Sequence, residues 1–174
     1  MGSLSMGANW KHLNMDKFIY HMHVRPDLVE DLYEESLTPE FTDHVGLNEG
    51  VWIKCRATDQ QPATVRLAKI WSEVLEAKVS PFYYVQSPGK RVLEHKDSQC
   101  GSCINILLND NDQPIVFRDE DDKLHMYQYR CALLNVAGYY HEVPASPKER
   151  RTVRFAIQTS FEDARTKLKE FMNA

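Results

Sequence analysis

From Pro81 onward the chain is a succession of short segments rich in Val, Ile, Tyr and Phe. They are cut by turn-forming runs at Ser87-Pro88-Gly89, Asn109-Asp110-Asn111-Asp112 and Asp119-Glu120-Asp121-Asp122. Segments of this length, separated by such residues, read as strands rather than helices. The segmentation predicts strands near 82–86, 90–96, 103–108, 114–118, 123–129, 131–136, 139–143 and 151–158. Strands at this spacing suit a jelly roll or barrel. The acidic run lacks the spacing and glycine of a calcium-binding loop and is read as a solvated hairpin turn.

What precedes the strand-rich part has a different pattern. Residues 1–16 are weakly patterned and expected to be loose. Residues 17–80 read as helical support with the first strands. Phe18 to Val24 alternates like an edge strand, Pro26 starts a helical segment over Asp27–Leu37, and Val51–Cys55 forms a short strand. A loop is expected around Pro39, Gly46 and Gly50. Val65, Leu67, Ala68, Ile70, Trp71, Val74 and Leu75 recur at three-to-four spacing and predict a helix over 64–78. After the strands, Ser160 is placed to cap a helix over 160–172, with Glu162 and Asp163 in its first turn.

With 174 residues, 43 % hydrophobic and 26 % charged, the chain suits one domain with one core. A net charge of -4 argues against a general nucleic-acid partner. No apolar run approaches the roughly 18 residues a bilayer requires, and no basic start leads into an apolar signal region. Gly2 is followed by Met6 where a myristoylation motif needs Ser or Thr. A cytoplasmic location with free thiols is expected. Cys100-Gly101-Ser102-Cys103 has no second pair for zinc and precedes a strand rather than a helix, so a structural role is expected.

The chemistry-bearing residues are His95-Lys96-Asp97 and His141. Residues two apart on a strand share a face, so His95 and Asp97 can grip one ion from the same side. His141 arrives forty-four residues after Asp97, on another strand. Two imidazoles and one carboxylate are a donor set for non-haem Fe(II) that leaves coordination positions open. His21-x-His23 could also pair on a metal but has no third ligand nearby, so it is read as two polar residues on a strand face.

Arg151 shares its strand face with Val153, Phe155 and Ile157. That apolar face is expected to point inward, which makes Arg151 the candidate anchor for an anion. Arg150 and Arg154 fall on the opposite face and are read as solvent-facing.

His95-x-Asp97, then Ala132-Leu133-Leu134-Asn135 leading to Tyr140-His141-Glu142-Val143-Pro144, then Arg151 opening a strand, resembles the Fe(II)/2-oxoglutarate-dependent dioxygenases. The prolyl-hydroxylase and aspartyl/asparaginyl-hydroxylase-like branch is the nearest in flavour, and the resemblance spans about residues 82–158. It implies a mainly β fold, a double-stranded β-helix (jelly-roll, cupin-like) core packed by N-terminal helices and a C-terminal helix. It further implies His95, Asp97 and His141 as iron ligands, with Arg151 pairing with the far carboxylate of 2-oxoglutarate as cosubstrate. Asn105, Tyr83, Tyr127 and Tyr139 are candidates for the same pocket. The implied reaction uses O2 to hydroxylate a C–H bond of a small molecule or peptide side chain, releasing succinate and CO2. The rivals are a cupin-like metalloprotein that does not use 2-oxoglutarate and a non-catalytic binding module on the same fold.

Overall fold

The computed structural model describes residues 16–41, 43–45 and 52–173. In chain order these form β1 (Ile19–His21), α1 (Pro26–Ser36), β2 (Asp43–Val45), β3 (Trp52–Arg56), α2 (Pro62–Leu75), β4 (Val79–Gln86), β5 (Val92–His95) and β6 (Ser102–Leu107). There follow β7 (Ile115–Arg118), β8 (Leu124–Tyr127), β9 (Cys131–Leu134), β10 (Tyr140–Val143), β11 (Arg150–Ile157) and α3 (Phe161–Met172). The expected loose start lies almost wholly outside the described residues, as do Gly46 and Gly50.

Strands β4 to β11 make the jelly roll. Four of them, in the order β9-β6-β11-β4, form the centre of a seven-stranded antiparallel sheet that β1 and β3-β2 extend on either side. The other four, β5-β10-β7-β8, form the smaller facing sheet. The chain therefore crosses repeatedly between two sheets, as a double-stranded β-helix requires. The eight predicted core strands all occur, with ends shifted by a few residues. The acidic run is the β7–β8 turn, where Asp122 adopts φ 60° and the Asp119 carboxylate accepts from the backbone N–H of Asp121 and Lys123.

Helices α1 and α3 begin where the sequence places a start, and α2 begins at Pro62, two residues before the expected Thr64. Pro26 and Pro62 occupy first turns, where their missing N–H costs nothing. The Ser160 hydroxyl accepts from the Asp163 N–H at 3.1 Å. Helix α2 ends at Leu75 rather than 78, because Glu76 turns left-handed at φ 47°. Strand β4 opens at Val79, three positions earlier than expected. Strand β2 falls where a loop was expected.

The helices cover the outer face of the large sheet. Leu32 of α1, Leu67, Ala68 and Leu75 of α2, and Phe161, Ala164 and Leu168 of α3 pack against Tyr83, Ile104, Ile106, Leu133, Val153, Phe155 and Ile157. A second core, with Phe18, Val92, Cys103, Ile115, Phe117, Leu134 and Val143, fills the space between the sheets. The large sheet is thus buried on both faces. At the start of β6 a Cβ on Gly101 would stand 2.2 Å from the Thr159 carbonyl oxygen, so only glycine lets these backbones meet. Among the described residues no helix is long and apolar enough to cross a membrane.

Candidate metal centre

Strands β5 and β10 pair antiparallel, with His141 directly opposite His95. Their rings stand 4.4 Å apart, centroid to centroid. Asp97 lies just past the end of β5, where its backbone N–H donates to the Val136 carbonyl at 3.0 Å. One ligand atom from each of His95, Asp97 and His141 lies within 4.8 Å of the others. This is the only such group of three or more potential ligands among the described residues.

Backbone carbonyls fix the presentation of both imidazoles. His95 Nδ1 meets the Leu93 carbonyl at 2.8 Å, and His141 Nδ1 meets the Tyr139 carbonyl at 3.3 Å. A carbonyl can only accept, so each Nδ1 carries the proton; the His141 Nε2 keeps its lone pair, whereas the His95 Nε2 frees its own for a metal only by giving up the proton it donates to Asp97. His95 Nε2 stands 3.3 Å from one Asp97 carboxylate oxygen, while the Arg154 guanidinium binds the other.

The electrostatics keep the donors in metal-binding form. Burial pushes His141 down to about 4, so it is neutral at pH 7. Burial alone would raise the Asp97 carboxyl, but the His95 hydrogen bond and the Arg154 and His141 charges hold it well below the usual carboxylate range. The Asp97 hydrogen bond raises His95. Two neutral-capable imidazoles and an ionised carboxylate are a fitting donor set for a divalent iron ion.

These side chains open into a cavity of about 530 Å³ between the two sheets. Its large-sheet wall carries Phe82, Tyr84, Asn105, Arg150 and Arg154. Arg150 is only 1 % exposed, yet no carboxylate lies within ion-pair distance of it among the described residues. Its Nη1 donates to the Gln113 carbonyl at 2.5 Å and its Nη2 to the Tyr129 hydroxyl at 3.0 Å, while its Nε has no partner. The Tyr129 oxygen also accepts from Asn105 Nδ2 at 3.2 Å, which leaves its own proton available to a further acceptor. A buried cation with neutral neighbours only is a site built for an anion.

Solved structures with the same architecture are found at low sequence identity. A prolyl-4-hydroxylase from Pseudomonas putida superposes with a TM-score of 0.64 at 14 % identity, over 80 % of this chain and 90 % of that one. A prolyl hydroxylase from Trichoplax adhaerens, solved with a hypoxia-inducible-factor peptide fragment, gives 0.66 at 11 % identity, over 85 % and 84 %. HygX from Streptomyces hygroscopicus, solved with nickel and 2-oxoglutarate bound, gives 0.61 at 12 % identity, over 82 % of each. The chain shares their fold. No family model matches the sequence, and no curated protein matches it significantly.

The predicted site residues divide sharply. His95, Asp97, His141 and Asn105 meet in the cavity. Arg151 does not: it lies on the helix-side face, where Nη1 donates to the Ser36 carbonyl at 2.9 Å and Nε to Glu149 at 3.1 Å. The alternation along β11 was assigned correctly, but its apolar face points toward the helices rather than into the barrel. Tyr83 is on that same outer face, bonded to Thr64 and Glu35. Tyr139 and Tyr127 pack on Phe18 away from the cavity, with ring centroids 4.6 and 6.1 Å from it, and the Tyr139 hydroxyl donates to Glu120 at 2.9 Å.

Among the cavity residues that went unrecognised in the sequence are Arg150, Arg154, Tyr84 and Tyr129. Arg150 and Arg154 were assigned to solvent, although their period-two spacing with Thr152 was a readable signal. The CxxC cysteines lie beside Arg154. Burial pushes the Cys103 thiol up to about 12 and raises Cys100 as well, so both stay protonated and inert.

Proposed function

We propose that the chain is a non-haem Fe(II)- and 2-oxoglutarate-dependent oxygenase. It hydroxylates a C–H bond of a small molecule or peptide side chain and releases succinate and CO2. One observation carries this reading: three metal-suited donors and a buried, carboxylate-free guanidinium face one cavity. His95, Asp97 and His141 would hold the iron. The Trichoplax and HygX structures, with their peptide and 2-oxoglutarate, support the choice of substrate and cosubstrate classes.

Arg150 replaces Arg151 as the anchor of the cosubstrate's far carboxylate. Its guanidinium and the free Tyr129 proton converge on one place, and the guanidinium is sheltered from water that would screen it. Asn105 orients the Tyr129 hydroxyl. Arg154 occupies one Asp97 oxygen and turns the other toward the imidazoles. When bound, iron and 2-oxoglutarate supply the oxidising power, coupling O2 reduction to decarboxylation. The protein supplies position and charge balance. Four free cysteines fit a reducing compartment such as the cytoplasm.

The test is anaerobic titration of the metal-free protein with Fe(II) and 2-oxoglutarate. A visible metal-to-ligand charge-transfer band is expected, lost in His141→Ala. Admitting oxygen should then release succinate. Absence of the band in the wild-type protein defeats the reading.

A further inference from the structure

We infer that Cys100, Cys103 and Arg154 form the support of the metal centre: the two thiols hold the Arg154 guanidinium, and Arg154 in turn restrains Asp97 to binding through one oxygen. This rests on the oxygenase reading above and deepens it, because it gives the Cys-x-x-Cys motif a positioning role at the same site.

Arg154 is the starting point. Its side chain is 15 % exposed, and among the described residues Asp97 is the one carboxylate paired with it. A guanidinium offers five N–H donors in a rigid fork, and a buried one needs acceptors for more than one of them. Asp97 Oδ2 takes one. The Tyr84 ring lies 5.7 Å from the guanidinium carbon. Sulfur supplies further acceptors, because the thiols of Cys100 and Cys103 both lie against Arg154 within hydrogen-bonding reach.

The backbone brings those thiols in from two sides. Asn105 of β6 stands directly opposite Arg154 on β11, and Cys103, two residues earlier, shares its face and sits opposite Ala156. Cys100 comes from the connection between β5 and β6, the segment that also carries Asp97. That connection is strapped at three points. Asp97 N–H donates to the Val136 carbonyl at 3.0 Å, Gly101 N–H to the Ile157 carbonyl at 2.9 Å, and Gln158 Nε2 to the Gln99 carbonyl at 2.7 Å. The segment carrying Asp97 and Cys100 is thereby tied to the strand that carries Arg154.

The residue types suit this task. A thiol sulfur is a weak, uncharged acceptor, so it steadies the cation without neutralising it, and the full charge stays directed at Asp97. A carboxylate in either position would compete for Arg154 and offer the metal a rival oxygen. Neither thiol belongs to the three-residue ligand group, which leaves both for support rather than coordination. With Oδ2 held by Arg154, Asp97 presents Oδ1 alone, the oxygen 3.3 Å from His95 Nε2. A carboxylate binding through both oxygens would instead take up a position that the cosubstrate needs.

The experiment titrates full-length protein with Co(II) under nitrogen, reading affinity and the visible absorption that reports coordination, and then adds 2-oxoglutarate. Cys100→Ala/Cys103→Ala should alter the Co(II) spectrum and weaken 2-oxoglutarate binding at least about threefold. Cys100→Ser/Cys103→Ser, whose hydroxyls still accept, should keep both near wild type. Arg154→Gln should produce the same spectral change with a loss of roughly tenfold or more, and Arg154→Lys, which keeps a cationic donor, should fall between it and wild type. Cys131→Ala, in the helix-side core, should lower the urea midpoint and leave the spectrum alone. A Cys100→Ala/Cys103→Ala protein with the wild-type spectrum, or one that loses only stability as Cys131→Ala does, overturns the inference. So does a serine pair that behaves like the alanine pair. Should Arg154→Gln fail to fold, the thiol pairs and Arg154→Lys still decide. Wild-type protein that binds no Co(II) strikes the oxygenase reading, and the inference with it.

Discussion

On β11 successive side chains go to two different interiors. Val153, Phe155 and Ile157 face the helices and are fully buried among Tyr83, Ile104, Ile106 and Leu133. Arg150, Thr152 and Arg154 face the space between the sheets, with Tyr84 and Asn105 as cross-strand neighbours. Apart from the Arg151 guanidinium at its start, the first face is apolar but for the Tyr83 hydroxyl, and both polar groups are hydrogen-bonded. The second keeps buried polar atoms without partners, among them Asn105 Oδ1, Arg150 Nε and Thr152 Oγ1. Each such atom costs about 1–3 kcal/mol. Stability is therefore generated on the helix side and partly surrendered on the cavity side, where those atoms are available to ligands.

The largest effect should come from attacking the stabilising face. Phe155→Ala empties a fully buried ring position and should cost about 3–5 kcal/mol, read as a lower urea midpoint. On the opposite face Thr152→Val removes a hydroxyl that has no partner, and should leave the midpoint unchanged or raise it. Equal losses at the two positions would erase the distinction between the faces.

A smaller effect, confined to the cavity side, is pH-dependence in the metal-free protein. His141 titrates near 4 in the fold against 6.5 when unfolded. Between those values the unfolded chain binds more protons, so stability falls as pH drops from 6.5 toward 4. The loss approaches about 3 kcal/mol. His95 is shifted the other way, favouring the fold at low pH, but it is half-exposed and its contribution is smaller. Thermal melts at pH 7 and 4.5 should show the loss, and His141→Asn should flatten it. An unaltered slope in that variant would place the titration elsewhere.

This division also explains what could be read without coordinates. The core strands were legible because turn residues punctuate them, and His95, Asp97 and His141 because spacing on strands is geometric. Arg151 was misassigned for a specific reason. An apolar face was equated with the barrel interior, a rule that holds for a sheet with one face in water. Here α2 and α3 claim the apolar face, and the interior that holds the metal-suited donors with Arg150 and Arg154 is the more polar one. The same substitution of faces moved the tyrosine candidates: Tyr83 points to the helices and its neighbour Tyr84 to the cavity. Tyr129 ended the predicted 123–129 strand but was not among the pocket candidates. It sits between β8 and β9, and nothing in local pattern marks it.

The finest test of the two faces uses adjacent residues. Arg150→Ala should weaken 2-oxoglutarate binding roughly 30-fold, about 2 kcal/mol, because removing the buried guanidinium leaves the dicarboxylate without its partner. Its cost to the unloaded fold should be small, because relief of a buried cation lacking a carboxylate offsets the lost bonds to the Gln113 carbonyl and the Tyr129 hydroxyl. Arg151→Ala, one residue along, should change 2-oxoglutarate affinity less than about twofold. Its loss should instead appear in stability, through the missing bonds to the Ser36 carbonyl and Glu149 and the lost packing over Phe41. Isothermal titration for the cosubstrate and urea denaturation for the fold separate the two. A reversed outcome, with Arg151→Ala abolishing cosubstrate binding, would mean that the apolar face of β11 turns inward after all.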